Sequence, residues 1–558
     1  MIRRADAIAG LSSQELDVLV IGGGITGAGV ALDAAARGYS VGLVEKTDYA
    51  AGTSSRSSKL VHGGLRYLQK FDLGLVREAL LERQLLVKLA PHLVRPLALV
   101  VPAFEHHAPN RMMGFGLNMY DVLSMDRRRR RGRRARKVEE AGGEPWEDWS
   151  PERHRTIPGD EVAELVPALT ARQPTSGYLF YDCQTDDVRL VLTVLGEAER
   201  FGAVCANRAE VTELVEEDGR AAGAIVRDAQ TGERFTVRAA NVVNATGVWA
   251  DRLRPEELHA EAEVPVIRPS RGTHITLSRE DLPLVAGVIV PAGGGRTIFA
   301  LPWLGRTLVG TTDNDYEGDI DAVSPAAEDV DYLLSAVNEF FATELDRSSI
   351  TGAHAGVRPL ISTGDPKKSV DISRKAELYE TSSGMVTITG GKLTTWRRMA
   401  KLTVDRLVER EGREAPSRTH DIPLGQAIAA EELPRVEGVC EETYPALADR
   451  YGYAARAVLD VAAEREQLAR PVVPGHPDLL AELAFAVRRE QAGDLADVLL
   501  RRTRLGLVAA RELCDPGGDA VAHAASALGG ELAWTPDEQR REVERFREVA
   551  RREGIVPA

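Results

Sequence analysis

Residues 17–21, DVLVI, form a short apolar run with β-branched side chains, which predicts a buried parallel strand. GGGITGAG follows, then VALDAAARG (30–38), whose composition predicts a helix ending at Gly38. YSVGLVEK (39–46) predicts a second apolar strand ending in an acid. Together they make one βαβ unit of about 30 residues. Residues 72–90 predict a helix with leucines on one face, and 187–201 and 393–410 predict two more. Residues 204–214 and 221–227 predict strands of an antiparallel meander around EEDGR. AANVVNATG (239–247) and 385–391 predict apolar strands that end in small residues. Residues 262–312 alternate apolar and polar positions with frequent glycine, a β-rich pattern. After DIPLG (421–425) the composition shifts to Ala, Leu, Glu and Arg at helical spacing. A boundary near 412 divides the chain into 1–411 and a C-terminal helical domain, 412–558.

The fold class that follows is α/β. A Rossmann-like dinucleotide domain carries an inserted β-rich substrate domain and a C-terminal α-helical domain. The 558 residues suffice for two to four domains.

Gly22-x-Gly24-x-x-Gly27 lies between strand and helix. Gly22 allows the tight turn, Gly24 lets the backbone approach a pyrophosphate, and Gly27 lets helix and strand pack closely. The helix N-terminus offers N–H groups and partial positive charge. Glu45, ending the second strand, suits the ribose hydroxyls of an adenosine and repels a 2′-phosphate. Further signals recur far away. TSSRSSK (53–59) offers the hydroxyls of Thr53, Ser54 and Ser55 to a pyrophosphate, and NATG (244–247) offers Ala245 and Gly247. TGGK (389–392) places Gly390 and Gly391, with Lys392 and Leu393, where N–H groups face the pyrimidine edge of a reduced flavin. His62 and Gly63 join this set. A long cofactor held by discontinuous segments fits FAD.

Charge sharpens the picture. The net charge of −14 argues against a nucleic-acid partner. Local cations beside glycine therefore need their own explanation. VHGGLRY (61–67), RGTHITL (271–277), AGVRPL (355–360) and GGKLTTW (391–396) place Arg66, His274, Arg358 and Lys392 so as to converge on one anion. Lys59, three residues before His62, is a cation that a core is not expected to hold. The four cysteines form no C-x-x-C pair, which predicts a reducing compartment. No spacing predicts a metal site, His106-His107 included. Arg3 and Arg4 without an apolar h-region predict no signal peptide. No apolar run reaches the ~20 residues that cross a bilayer.

GGGITGAG, TSS-SSKLVHGGLRYL, NATGVW, GTTD (310–313), GVRPL and TGGKLTT occur in the order seen in the FAD-dependent, respiratory glycerol-3-phosphate dehydrogenases, within the D-amino-acid-oxidase-like flavoproteins. DVLLRRTRLG (497–506) resembles that family's C-terminal helical domain. The resemblance covers roughly 17–530. It implies oxidation of sn-glycerol 3-phosphate to dihydroxyacetone phosphate, with hydride passing from C2 to flavin N5 and electrons to a membrane quinone. It implies that Arg66, His274, Arg358 and Lys392 line the substrate site. Arg374 sits where the family holds phosphate, although its surroundings, DISRKAEL, match less well. Two roles are open: His274 as general base, or Arg358 stabilising a developing alkoxide.

The resemblance also implies a cytoplasmic enzyme lying peripherally on the inner face of the cell membrane. The run at 127–137, RRRRRGRRARK, follows an apolar segment as a contact for anionic lipid does; a solvated loop is the other reading. An oxidase that passes electrons to oxygen, and a non-catalytic flavin-containing membrane module, are the competing functions. For 412–558, packing or homodimerisation are the roles left open.

Overall fold

The computed structural model describes the chain except for residues 1, 65–72, 106–113, 115, 122, 124–152, 254–265, 363–375 and 558. Arg66, Arg374, His106-His107 and the run at 127–137 thus lie outside the described residues.

A parallel sheet forms the first layer system. Its parallel strands run in the order Val386–Gly390, Arg234–Asn244, Glu15–Ile21, Val41–Val44 and Val204–Ala206. The apolar run at 17–21 is explained by burial on both faces. Val18 and Val20 join a core with the helices Ile25–Ala36, Asp187–Arg200 and Trp396–Glu411. Leu19 and Ile21 face the opposite core with the Arg4–Ser13 helix and the adjacent antiparallel strands. A strand covered on both sides has no use for alternation.

The expected strand at 204–214 is two elements. Val204–Ala206 joins the parallel sheet, and Ala209–Glu217 begins an antiparallel hairpin with Arg220–Asp228. The break sits at Arg208, where φ is 52° and the amide donates to Thr47 O at 2.7 Å. The hairpin turns at Asp218-Gly219, both with positive φ, as a two-residue hairpin loop requires. The expected helix at 393–410 starts later, as Trp396–Glu411, after a 3₁₀ turn at Leu393–Thr395.

The second sheet is largely antiparallel. It includes Arg95–Ala103, Ser176–Gln184, Val266–Ser278, Gly287–Pro291, Thr297–Trp303, Arg306–Gly310 and Ile350–Ser362. Alternate residues serve two cores. Ala300 and Val309 pack toward the Ala327–Phe341 helix, while Leu301, Trp303 and Leu308 pack toward the helices of the C-terminal region. The C-terminal helices therefore share a core with this sheet, instead of forming a core of their own. Among the described residues no helix is long and apolar enough to cross a membrane.

Candidate active site

The strands Glu15–Ile21, Val41–Val44, Arg234–Asn244 and Val386–Gly390 are mutually parallel, so their carboxyl ends meet at one edge. Gly22, Glu45, Ala245 and Gly391 directly follow those ends. All four line one cavity of about 940 Å³, with Gly24, Gly247, Gly390, Lys392 and Leu393. Ligands of doubly wound sheets bind at such carboxyl ends.

Backbone shape fits a dinucleotide. Gly22 has φ 113°, and a Cβ there would fall 2.7 Å from Ala245 O. Gly390 and Gly391 have φ 75° and 69°. Gly27 is not on the cavity wall; a Cβ there would lie 1.9 Å from Gly22 O, so its part is close packing of helix against turn. Asn244 shapes the next loop, accepting from Thr246 N at 3.2 Å and donating to Ala250 O at 3.0 Å. Glu45 accepts from Gly23 N at 2.7 Å and Thr47 N at 2.9 Å; burial raises its pKa against these bonds. It thus braces the glycine turn as well as facing the cavity.

The hydroxyls of TSSRSSK are tied to neighbouring segments. Thr53 and Ser54 are on the wall, but Thr53 Oγ1 donates to Val357 O at 2.6 Å, and Ser54 Oγ accepts from Ile25 N at 3.0 Å. Ser55 is off the wall and donates to Gly52 O at 3.2 Å. These hydroxyls hold the loop to its neighbours. Gly63 also leaves the predicted set: its amide donates to Tyr120 Oη at 2.9 Å, and a Cβ would lie 2.4 Å from that oxygen. It serves a buried Arg83–Asp182–Tyr120 cluster. His62 does line the cavity, and its amide donates to Thr394 Oγ1 at 3.2 Å, joining VHGG to GGKLT.

Lys59 is the second departure. It is fully buried, with Nζ donating to Asp187 Oδ2 at 2.7 Å and Ser55 O at 2.6 Å. Arg504, from the C-terminal region, donates to Asp187 Oδ1 at 3.1 Å and Ser55 O at 2.9 Å. Burial and Arg504 push the Lys59 pKa down to about 8, against the pull of Asp187. No sequence spacing announced Asp187 or Arg504 as partners, because both pairings are tertiary.

His274 and Arg358 reach the same cavity from the second sheet. Val266–Ser278 and Ile350–Ser362 are antiparallel, with Ser270 opposite Arg358, Gly272 opposite Gly356 and His274 opposite His354. A side-chain period of two puts all of these on one face. Gly272 leaves the room Arg358 fills; a Cβ there would lie 2.3 Å from Arg358 Nη2. That nitrogen donates to Thr311 Oγ1 at 2.9 Å, and Nη1 lies 3.4 Å from Asp313 Oδ1. His274 Nε2 lies 2.9 Å from Ser58 Oγ. Its Nδ1 has no hydrogen-bond partner among the described residues. Burial first, then Lys59 and Arg358, hold its pKa well below the ordinary imidazole range.

These shifts predict acid lability. Burial likewise holds His354 well below the ordinary range, and pushes His92 down to about 4. Unfolded histidines titrate near ~6.5, so below that pH the unfolded chain binds more protons and stability falls as pH falls. His274 and His354 together are expected to remove about 3 kcal/mol per pH unit once the pH is below about 5.5. Thermal midpoints between pH 7.5 and 5 check this; a flat series contradicts it.

Residues 17–406 match the family model "FAD dependent oxidoreductase", and 388–539 match "C-terminal domain of alpha-glycerophosphate oxidase". The chain is 36% identical to glycerol-3-phosphate dehydrogenase 2 of Mycobacterium tuberculosis, over 99% of this chain and 91% of that protein. The chain belongs to the FAD-dependent glycerol-3-phosphate dehydrogenases. It is also 33% identical to the aerobic glycerol-3-phosphate dehydrogenase of Bacillus subtilis, over 90% of this chain and 89% of that one. Its fold superposes on the glycerol-3-phosphate dehydrogenase of Bacillus halodurans complexed with FAD, at TM-score 0.77 and 28% identity, covering 100% and 98% of the two chains. The cofactor of this FAD-dependent dehydrogenase is FAD, and the glycine-lined cavity has the shape to hold it.

Proposed function

We propose that this dehydrogenase oxidises sn-glycerol 3-phosphate to dihydroxyacetone phosphate. The observation that carries the reading is the convergence of His274, Arg358 and Lys392, from three separate segments, on the cavity that also holds the FAD cradle. FAD held in the glycine-lined cradle would supply the two-electron acceptor for the hydride leaving C2. The residues do the rest. Arg358 and Lys392 attract the phosphate dianion, with Arg66 and Arg374 as proposed partners from outside the described residues. His274, neutral when substrate arrives, takes the C2 hydroxyl proton; Arg358 steadies the oxygen as charge develops.

Electrons then pass to a membrane quinone, from an enzyme held in the cytoplasm against the inner face of the membrane. The sequence supporting that placement is the arginine-rich run at 127–137, suited to anionic lipid. A second reading, an oxidase passing electrons to oxygen, is favoured by the description of the family that matches 388–539.

The test is spectroscopic. The purified protein is mixed anaerobically with sn-glycerol 3-phosphate, and bleaching of the flavin band is expected. A flavin band that does not bleach removes the substrate reading. Adding a soluble quinone or air to the bleached protein then separates dehydrogenase from oxidase. Arg358→Ala and Lys392→Ala are expected to raise the apparent KM for the phosphorylated substrate, by about 10-fold or more for each lost charge-assisted contact. Steady-state kinetics check this; an unchanged KM takes either residue out of the phosphate site.

A further inference from the structure

His354 has no part in the reading above, yet it is built against its centre. It stands directly opposite His274 in the antiparallel register. The two rings stack with centroids 4.7 Å apart and planes within 4°. His354 is 6% exposed and His274 2%. His274 is on the cavity wall and His354 is not, so His354 lies behind His274 and does not touch what the cavity holds. Neither ring nitrogen of His354 has a hydrogen-bond partner among the described residues. Burying two polar atoms unpaired is costly, and such costs call for a function.

The charged groups that act most on the pair are cations, each paired in turn with a carboxylate: Lys59 and Arg504 with Asp187, Arg358 with Asp313 and Arg56 with Glu553. Lys59 and Arg358 face His274; Lys59, Arg504 and Arg56 face His354. Each disfavours a proton on either ring, and burial disfavours it more. A base in such a place is easily kept neutral but poorly helped once it has taken a proton. The ring of His354 is the aromatic face close to it.

We propose that His354 is a positioning residue for the oxidation: its ring fixes the plane of His274 from behind and presents an aromatic face to the imidazolium that His274 becomes. This rests on the reading of His274 as the base. One proton moves, from the substrate hydroxyl to His274; His354 gains and loses none. The χ2 torsion of histidine is broad, so one hydrogen bond to Ser58 leaves the ring free to rock, and a parallel stack removes that freedom. A cation is attracted to an aromatic face, which offsets part of the repulsion from Lys59 and Arg358. Two imidazolium ions at this distance would repel strongly in a buried site, so only one ring of the pair carries a proton at a time.

The test compares His354→Phe, which keeps a flat ring, with His354→Ala and His354→Gln, which do not. Alanine and glutamine are expected to lower kcat by about 10-fold with KM for sn-glycerol 3-phosphate within about two-fold, because a displaced base costs rate and not binding. Phenylalanine is expected to restore most of that rate. A second readout needs no turnover. Nitrogen NMR of ¹⁵N-histidine-labelled protein without substrate should show His274 titrating closer to the ordinary imidazole range in His354→Ala than in wild type, as water enters beside it. Should alanine destabilise the protein too far, the phenylalanine–glutamine pair carries the same comparison. Equal loss with phenylalanine and alanine, or no loss with alanine while His274→Ala is inactive, overturns the proposal. Full turnover in His274→Ala would instead remove the base reading itself, which separates the two failures.

Discussion

Replacing His274 with alanine is expected to lower turnover by a factor of about 10²–10⁴, the usual contribution of a positioned general base. The expectation comes from its surroundings. A base must be unprotonated when substrate arrives, and burial, Lys59 and Arg358 all favour the neutral ring. It must also be aimed, and Ser58 at 2.9 Å and the stacked ring of His354 do this. The pH dependence follows with a definite sign. In the free enzyme a base with a depressed pKa stays active as pH falls, so kcat/KM should show no acid limb from His274 near pH ~6.5, where a solvated histidine would titrate. Full saturation curves from pH 6 to 9 on both proteins, giving kcat and kcat/KM, check the two statements together. A near-normal rate for His274→Ala at every pH would leave Arg358, acting electrostatically, as the principal device.

Asp187→Ala is expected to cost about 3–5 kcal/mol of stability, the scale for removing one partner of a buried ion pair. Asp187 is fully buried between two cations, Lys59 and Arg504, themselves buried. Burial opposes its charge, but Lys59 and Arg504 outweigh that and keep its carboxyl below the ordinary range. A depressed carboxylate contributes stability above the unfolded pKa of about 3.9, so the whole contribution is present at neutral pH and is lost only as pH falls through the folded value. Asp187 also receives Ser57 Oγ at 2.7 Å, and so holds the loop that carries Ser58 to His274. Loss of Asp187 should therefore lower the thermal midpoint, the retained FAD and the rate at once. Chemical denaturation reads the stability lost, and a loss under about 1 kcal/mol would show that this cluster does not hold the loop.

The corrections share a cause. Lys59 and Arg66 look alike in VHGGLRY and its approach, as cations beside glycine and serine. Lys59 turns inward because Asp187 and the carbonyl of Ser55 wait there, and Asp187 lies over a hundred residues along the chain. Gly63 looks like a glycine that lets the backbone approach the cofactor, yet Tyr120 stands where its Cβ would be. Ser54 lines the cavity, and its oxygen is also the acceptor for Ile25 N at the start of the glycine-turn helix.

By itself the sequence determined what depends on near neighbours. The strand at 17–21, the Gly22–Gly27 turn, its helix and Glu45 follow from local periodicity and from the φ that glycine alone adopts without strain. The small residues after 244 and 389 marked strand ends by the same logic. The tertiary structure decided what depends on register and direction. Parallel pairing brought four strand ends to one edge, and antiparallel pairing laid His354 under His274 and Gly272 beneath Arg358. Those contacts join residues tens to hundreds of positions apart. A period of two says which residues of a strand share a face, but only the pairing says which residue of another strand lies opposite.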